Sequence, residues 1–272
     1  MLNSKLGNNI LKGLIYLCVA ILLINVVAIV YFVFLQGITN LNLELLFRSS
    51  GLIVSTLMVI LIALVIAVPI GVFSAIYMQL YAKKNRALEI IRFSIDSLSG
   101  IPSIIFGLFG LSFFIYFVGM HRSILAGSLT VSLVILPLLI KNTEEAIKTI
   151  ERSQIEASLA LGATRFDTVV KVVVPGCVDG IINGIVLAIG RIIGETAAIL
   201  FVIGSLAKFP TSIMDPGATL ATQLYLILQE PTYAEGGINE AYSLALILVI
   251  IVIVLNLSIK LMKSHFKKKR GY

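Results

Sequence analysis

The sequence predicts an all-α, polytopic membrane protein with six transmembrane helices, and three observations carry that prediction. Of 272 residues, 58% are apolar and only 13% are charged, against about 25% charged in an ordinary soluble domain. A chain so poor in charge cannot cover itself with polar surface in water, and it is too apolar to stay disordered. The apolar residues fall in long unbroken runs, without the alternation over about 10 residues that marks a barrel strand. Lysine and arginine then gather in every second connection.

A helix needs about 20 mostly apolar residues to cross the hydrocarbon core. Six runs meet or approach that length: 13–35, 52–78, 98–118, 124–140, 177–206 and 241–261. The first has a basic start (Lys5, Lys12) but a long apolar stretch and no A-x-A cleavage signal before Gln36, so it reads as a retained helix. Pro69, Pro102 and Pro137 are expected to kink or end their helices. The whole chain, 1–272, reads as one transmembrane domain with a cytoplasmic loop at 141–176.

The loops give the orientation. With six spans both termini share a side, and that side carries 17 of the 21 basic residues. The other side carries three, Arg48, Arg122 and Lys208, which places both termini in the cytoplasm. The net charge of +7 is therefore a topology signal and does not point to nucleic acid. The tail Lys267-Lys268-Lys269-Arg270 either meets the anionic inner leaflet or simply flanks the last span.

Catalytic and metal chemistry find no footing. Cys18 and Cys177 lie in or beside spans, His121 and His265 are far apart, and no clustered metal ligands occur. No G-x-x-x-x-G-K-[ST] phosphate loop is present. The chain is expected to be no enzyme and to need no cofactor; any nucleotide would be hydrolysed by a partner.

The connections have room for little more than helices. Externally, 207–240 is rich in proline, glycine and small polar residues, and 218–228 reads as a short helix on or in the membrane. In the cytoplasm, Glu144 to Gly162 reads as two short helices with Ile147, Ile150, Ile155, Leu159 and Leu161 as apolar positions. After Gly162-Ala163-Thr164 an amphipathic piece runs from Arg165 to Val174 and ends at Pro175-Gly176. Such a hairpin suits docking into a partner's groove; a plain surface connector is the other reading.

The run Glu156-Ala157-Ser158-x-x-x-Gly162, nine residues, then Val172-x-Val174-Pro175 resembles the EAA loop of ABC-importer permeases. Ser158 stands for the second alanine of the pattern, and valines stand for Ile and Leu. Two further segments, Gly100-Ile-Pro-Ser-Ile-Ile-Phe-Gly-Leu-Phe-Gly110 and Gly190-Arg-Ile-Ile-Gly-Glu-Thr196, resemble signatures of the phosphate-specific permeases. The short amino-terminal region and Ile38 to Glu44 look more like the A-type (PstA) subunit; the lack of proline after Gly194-Glu-Thr-Ala keeps the sister C-type (PstC) open. The resemblance implies the type I ABC-importer permease fold in a bacterial or archaeal inner membrane. It also implies a heterodimer with a sister permease, two cytoplasmic ATPase subunits, an external phosphate-binding protein and inorganic phosphate as cargo. Glu156, Ala157, Ser158 and Gly162 would then form the coupling helix that meets the ATPases. A permease for molybdate or sulfate is the alternative within the class; a secondary transporter or membrane scaffold lies outside it.

Within the fifth run, Arg191 and Glu195 are four residues apart, on one helix face. An arginine at the centre of a span costs about 2.5–3.5 kcal/mol to insert and usually faces the bundle or a watery path. Arg191 offers a planar fork suited to phosphate oxygens, and Glu195 can moderate its pull. Thr196 is the third candidate for the path, and Ser99 and Ser103 could add hydroxyls. The same pair could instead be a structural salt bridge. Gly180 and Gly184 would leave space beside the pair. Gly190, Gly194 and Ala198 would form the close-packing ridge. Asp179 reads as an end cap of the run.

Overall fold

The computed structural model describes residues 2–230, 232 and 235–270, with side chains described from 7 to 261 within those bounds. Among them every regular element is helical: α1 Leu2–Asn40, α2 Leu43–Arg48, α3 Ser50–Ile76, α4 Arg86–Ser99, α5 Ser103–Gly110, α6 Ile124–Lys148, α7 Arg152–Ala160, α8 Arg165–Thr168, α9 Val174–Ile193, α10 Ala197–Leu200, α11 Leu220–Gln229 and α12 Gly237–Arg270. Five helical stretches are long and apolar enough to cross a membrane: Gly7–Asn40, Ser50–Tyr81, Ile124–Lys148, Arg165–Ile193 and Gly237–Leu261. A sixth crossing arises if Arg86–Ser99 and Ser103–Phe117, bent by 101°, count as one. The basic side chains of the tail, Lys267 to Arg270, lie outside the described residues.

All the expected spans differ somewhat in extent, and three of these differences shape the site. The third run, 98–118, does not start a straight helix at 98. Its first residues end α4, an amphipathic helix that the apolar count passed over, and Gly100-Ile101-Pro102 makes the sharp bend. Proline disfavours helical geometry at the residue before it, so Ile101 cannot carry α4 into α5. The fourth run continues past 140 to Lys148, with Ser123 as N-cap accepting from the Ala126 N–H at 3.2 Å. The fifth run starts earlier and stops sooner than 177–206. Its helix is unbroken from Arg165 to Ile193. Pro175 does not end it. The turns at Val169–Val173 are wide π turns, which make room for a proline that lacks an N–H and crowds the preceding turn. In place of helix after Ile193 comes a break, Gly194-Glu195-Thr196, and then the single turn of α10.

The centre of the bundle is α3, α6 and α9 with α10 against them. Its buried side chains include Val59, Ala63, Val131, Ile135, Ile189 and Ile199. Lipid cannot drive helices together by the hydrophobic effect, so close packing must do it. Accordingly α3 shows a row of small residues, Ala63, Ala67, Gly71 and Ala75, all buried; a Cβ built on Gly71 would stand 2.9 Å from Leu139 Cβ. Buried hydroxyls bond back to their own helix, as Thr130 does to the Ala126 carbonyl at 2.9 Å.

The glycines of the fifth helix pack the other way round from the expectation. Gly176, Gly180 and Gly184 face Ile150, Ala146 and Asn142 of α6, so the space beside Gly180 and Gly184 is filled. Gly190 has nothing within 4 Å of where its Cβ would be, and Ala198 sits beyond the helix break. The glycines of the Gly100–Gly110 segment do have packing roles. Gly107 abuts the Ala197 carbonyl and Gly110 abuts Thr130, so α5 lies directly on α10 and α6.

α11 matches the short helix expected at 218–228. A capping box of Thr219 and Thr222 starts it, and its Leu220 N–H donates to Thr56 Oγ1 at 3.0 Å. With Ala218, Leu220 and Ile227 fully buried, it is inserted into the bundle. By contrast α1 touches the rest of the chain chiefly along α12, where Phe32 meets Tyr242 edge-on and a Cβ on Gly37 would meet Leu246.

Candidate functional site

The break at 194–196 positions the candidate ion pair. Arg191 stands in the last turn of α9, where a cation is favoured by the helix dipole. Glu195 lies just past the helix end, 5% exposed, with Oε2 3.6 Å from Arg191 Nε. Its other oxygen accepts the Ala198 N–H at 3.3 Å, capping α10. Glu195 thus serves both readings of the pair: it orders the break and it faces the guanidinium. The Arg191 side chain is half-exposed, and the contact uses Nε, leaving the Nη fork outside the pair. Irregular backbone at membrane depth is tolerated where it is buried in protein or lines a cavity.

Arg191, one turn before the break, lines a cavity. It has a volume of about 330 Å³ and lies in the elbow between α4 and α5, against α6. Arg191, Lys141 and Ser99 are its polar lining; Leu98, Phe106 and Pro137 are among its apolar walls. Ser99 Oγ donates to the Ile95 carbonyl at 3.0 Å, so its hydroxyl is already engaged within its helix. Thr196 adjoins the ion pair, half-buried, and does not line this cavity. Lys141 was expected at the start of the cytoplasmic loop. It is inside α6 because that helix runs on to Lys148, and its Nζ meets Asp96 of α4 at 2.9 Å. A lone lysine directly after an apolar run was the available signal.

The coupling set lies apart from this cavity, on α7 and its C-terminal turn. Glu156 and Ala157 are exposed and Ser158 is half-buried. Ser158 Oγ is 2.9 Å from Thr168 Oγ1, which ties α7 to α8. Gly162 has φ +85°, a left-handed conformation natural to glycine. The Ala163 N–H donates to the Ser158 carbonyl at 3.2 Å and the Gly162 N–H to that of Leu159 at 3.0 Å, the Schellman pattern of a glycine-ended helix. Thr164 Oγ1 then accepts the Asp167 N–H at 3.1 Å and starts α8. Inside the hairpin, Ile155 and Leu159 approach Leu80 and Tyr81 around a cavity of about 170 Å³. Leu161 (89% exposed) and Phe166 (71%) point away from the chain at the tip. Leu161 is therefore not an inward apolar position, and the tip has an apolar face of its own.

Comparison with known proteins agrees with this architecture. Residues 67–272 match the model of the binding-protein-dependent transport system inner membrane component. The chain is 30% identical over 247 residues to a probable ABC transporter permease protein, YqgI, of Bacillus subtilis, covering 82% of this chain and 84% of that one. It is 38% identical over 179 residues to a phosphate transport system permease protein PstA homolog of Mycoplasma pneumoniae, covering 64% of this chain but only 28% of that longer one. It is 32% identical over 203 residues to PstA 1 of Mycobacterium tuberculosis, covering 74% and 66% respectively. Among solved structures, a chain of the MetNI methionine ABC transporter in an inward-facing conformation superimposes with a TM-score of 0.60 at 19% identity, covering 81% of this chain and 95% of that one. That likeness shows the ABC-importer permease fold, and the PstA-named relatives match the A-type resemblance in the sequence. This chain belongs to the family of binding-protein-dependent transport system inner membrane components, the membrane-spanning permease subunits of ABC importers.

Proposed function

We propose that this chain is half of the transmembrane path of an ATP-driven phosphate importer. Its partners in this reading are a sister permease, two cytoplasmic ATPase subunits and an external phosphate-binding protein, and both termini face the cytoplasm. The observation that carries the reading is Arg191, a half-exposed guanidinium at the broken end of a long apolar helix, which lines a cavity with Lys141, Ser99 and apolar walls. In such a setting a cation attracts an anion far more strongly than in water. Glu195 competes for the guanidinium and keeps the anion from being held too long. Thr196, at the same break, completes the proposed path.

The hairpin 152–168 is the coupling element in this reading. Glu156, Ala157, Ser158 and Gly162, with the apolar tip at Leu161 and Phe166, would seat in a groove of the ATPase. ATP hydrolysis belongs to that partner. The names of the phosphate-transport relatives support phosphate as cargo, and a cavity lined by Arg191 and Lys141 suits any tetrahedral oxyanion, so sulfate or molybdate is the second reading. The sister C-type role is the alternative within the phosphate system.

Phosphate uptake into vesicles containing the complete complex tests the proposal. Arg191→Gln is expected to lower uptake by at least about tenfold, the value of one lost charge-assisted contact, while the ATPase subunits stay bound. Unchanged uptake would remove Arg191 from the path. A parent complex that carries sulfate or molybdate and no phosphate would correct the cargo alone.

A further inference from the structure

Two ion pairs join α4 to α6, and they differ in kind. Arg92 meets Glu144 at 2.9 Å, and its same nitrogen also reaches Gln79 Oε1 at 3.1 Å; the Glu144 side chain is 12% exposed. This cluster is a lock. One turn away, Lys141 meets Asp96 alone at 2.9 Å, with side chains 40% and 65% exposed. A pair so open to solvent contributes little to stability and is easily parted. Because Arg92 and Glu144 already hold the two helices together, the second pair is not needed as a fastener.

Lys141 also lines the cavity that Arg191 lines. Two cations from different helices therefore border one space, and each has its own carboxylate, Glu195 for Arg191 and Asp96 for Lys141. We propose that Lys141 is a second ligand of the transported oxyanion, and that Asp96 is the group the ion displaces to reach it. This rests on the anion-path reading of Arg191. The chemistry favours a pair of cations. Phosphate, sulfate and molybdate carry up to two negative charges, and walls such as Leu98, Phe106 and Pro137 offer them no hydrogen bonds. With both carboxylates in place the four side chains sum to zero charge, so the cavity is balanced without cargo. When the oxyanion enters, the carboxylates give way, and their return expels it. Lysine suits the exchangeable position, being a point charge on a flexible stem, whereas arginine supplies the oriented fork.

The test compares two variants that both lack the Lys141–Asp96 bridge and differ only in the cation. These are Asp96→Asn and the double variant Lys141→Gln/Asp96→Asn, each in the complete importer in vesicles, with ATPase-subunit retention checked. Replacing both members leaves no stranded charge, so the double variant is expected to assemble. Inorganic phosphate uptake is expected to be at least about tenfold lower in the double variant than in Asp96→Asn, for one lost charge-assisted contact. Equal uptake in the two overturns the proposal, because the bridge then accounts for the whole effect. An assembled Asp96→Asn complex that carries no ion overturns it too, since a mere competitor is not required. If the parent carries sulfate or molybdate, the same comparison is made with that ion. A parent that carries no oxyanion removes the path reading together with this one, whereas an active parent with equal variants removes this one alone.

Discussion

Gly180 of α9 lies directly against Ala146 of α6, so close that a Cβ on the glycine would collide with the alanine Cβ and stand 3.2 Å from its Cα. Gly176 on Ile150 and Gly184 on Asn142 repeat the contact one turn to either side, an antiparallel seam with a step of four residues on both helices. A larger residue at the middle of this seam forces the helices apart, at a cost of about 1–3 kcal/mol. Gly180→Leu is therefore expected to lower the thermal unfolding midpoint of the detergent-purified chain. Gly190→Ala, in open space, is expected to leave it unchanged or raise it slightly. Equal effects at the two sites would contradict the seam.

Gly162 presents the opposite case. Nothing lies within 4 Å of its missing Cβ, yet φ is +85°. An alanine there fits in space and suffers only in backbone, by about 1–2 kcal/mol. Gly162→Ala is expected to loosen the α7–α8 turn without touching the spans. Protease cleavage at 161–164 in the purified chain should rise, with the global unfolding midpoint held; unchanged cleavage would show the turn is not glycine-dependent.

Breaking the α4–α6 lock should cost more than breaking the open bridge beside it. Arg92→Met strands the Glu144 carboxylate, which is nearly buried. A loss of about 1–3 kcal/mol is expected, the cost of an unsatisfied buried group. Adding Glu144→Leu should recover much of it, and a double-mutant cycle on unfolding midpoints reads the coupling. Additive losses would mean the two side chains do not act as a pair.

The connection between α10 and α11 carries a pH-dependent staple. The Asp215 carboxylate accepts the Thr211 hydroxyl at 2.8 Å and the N–H groups of Thr211 and Ser212 at 2.8 and 2.9 Å. These bonds favour the ionised form and hold its pKa below the ordinary 3.8, with a smaller pull from Lys208. A carboxyl whose folded pKa is depressed stabilises the loop fully above its ordinary value and loses that contribution as pH falls through the lowered one. The Asp215 carboxyl carbon should therefore titrate below 3.8 by carbon-13 NMR. The stability gap between parent and Asp215→Asn should be constant near neutrality and close only in stronger acid. A gap that closes near neutrality would show the staple is absent.

Hydropathy made the long apolar helices legible because it measures transfer to lipid, which is what selects them. It does not measure backbone continuity, so 177–206 read as one helix across Gly194-Glu195-Thr196 and 98–118 concealed an elbow. Pro102 signalled the elbow, whereas the amphipathic α4 before it fell below the apolar count. Four-residue spacing of small residues marked both 180/184 and 190/194/198. Spacing cannot say which row meets a neighbour: Gly180 and Gly184 meet α6, Gly190 meets nothing, and Ala198 meets Gly107 of α5 from beyond the break. Arg191 and Glu195 were visible as charges in an apolar run. Lys141 is not legible as a site residue from hydropathy, because the apolar run ends at 140 while α6 continues for two more turns.

In the coupling reading proposed above, the unbroken helix from Arg165 to Ile193 would act as a seesaw. Its tight contact at Gly180 is a natural fulcrum. The arm from Arg165 to Gly180 is about 22 Å long and the arm from Gly180 to Arg191 about 16 Å, at 1.5 Å per residue. A sideways push of 3 Å at the hairpin thus swings Arg191 by about 2 Å the other way. That throw is comparable with the difference between a guanidinium bonded to an anion and one out of its reach. The wide turns at Val169–Val173 keep the rod continuous across Pro175, so in that reading a stroke would reach the arginine without a joint to absorb it.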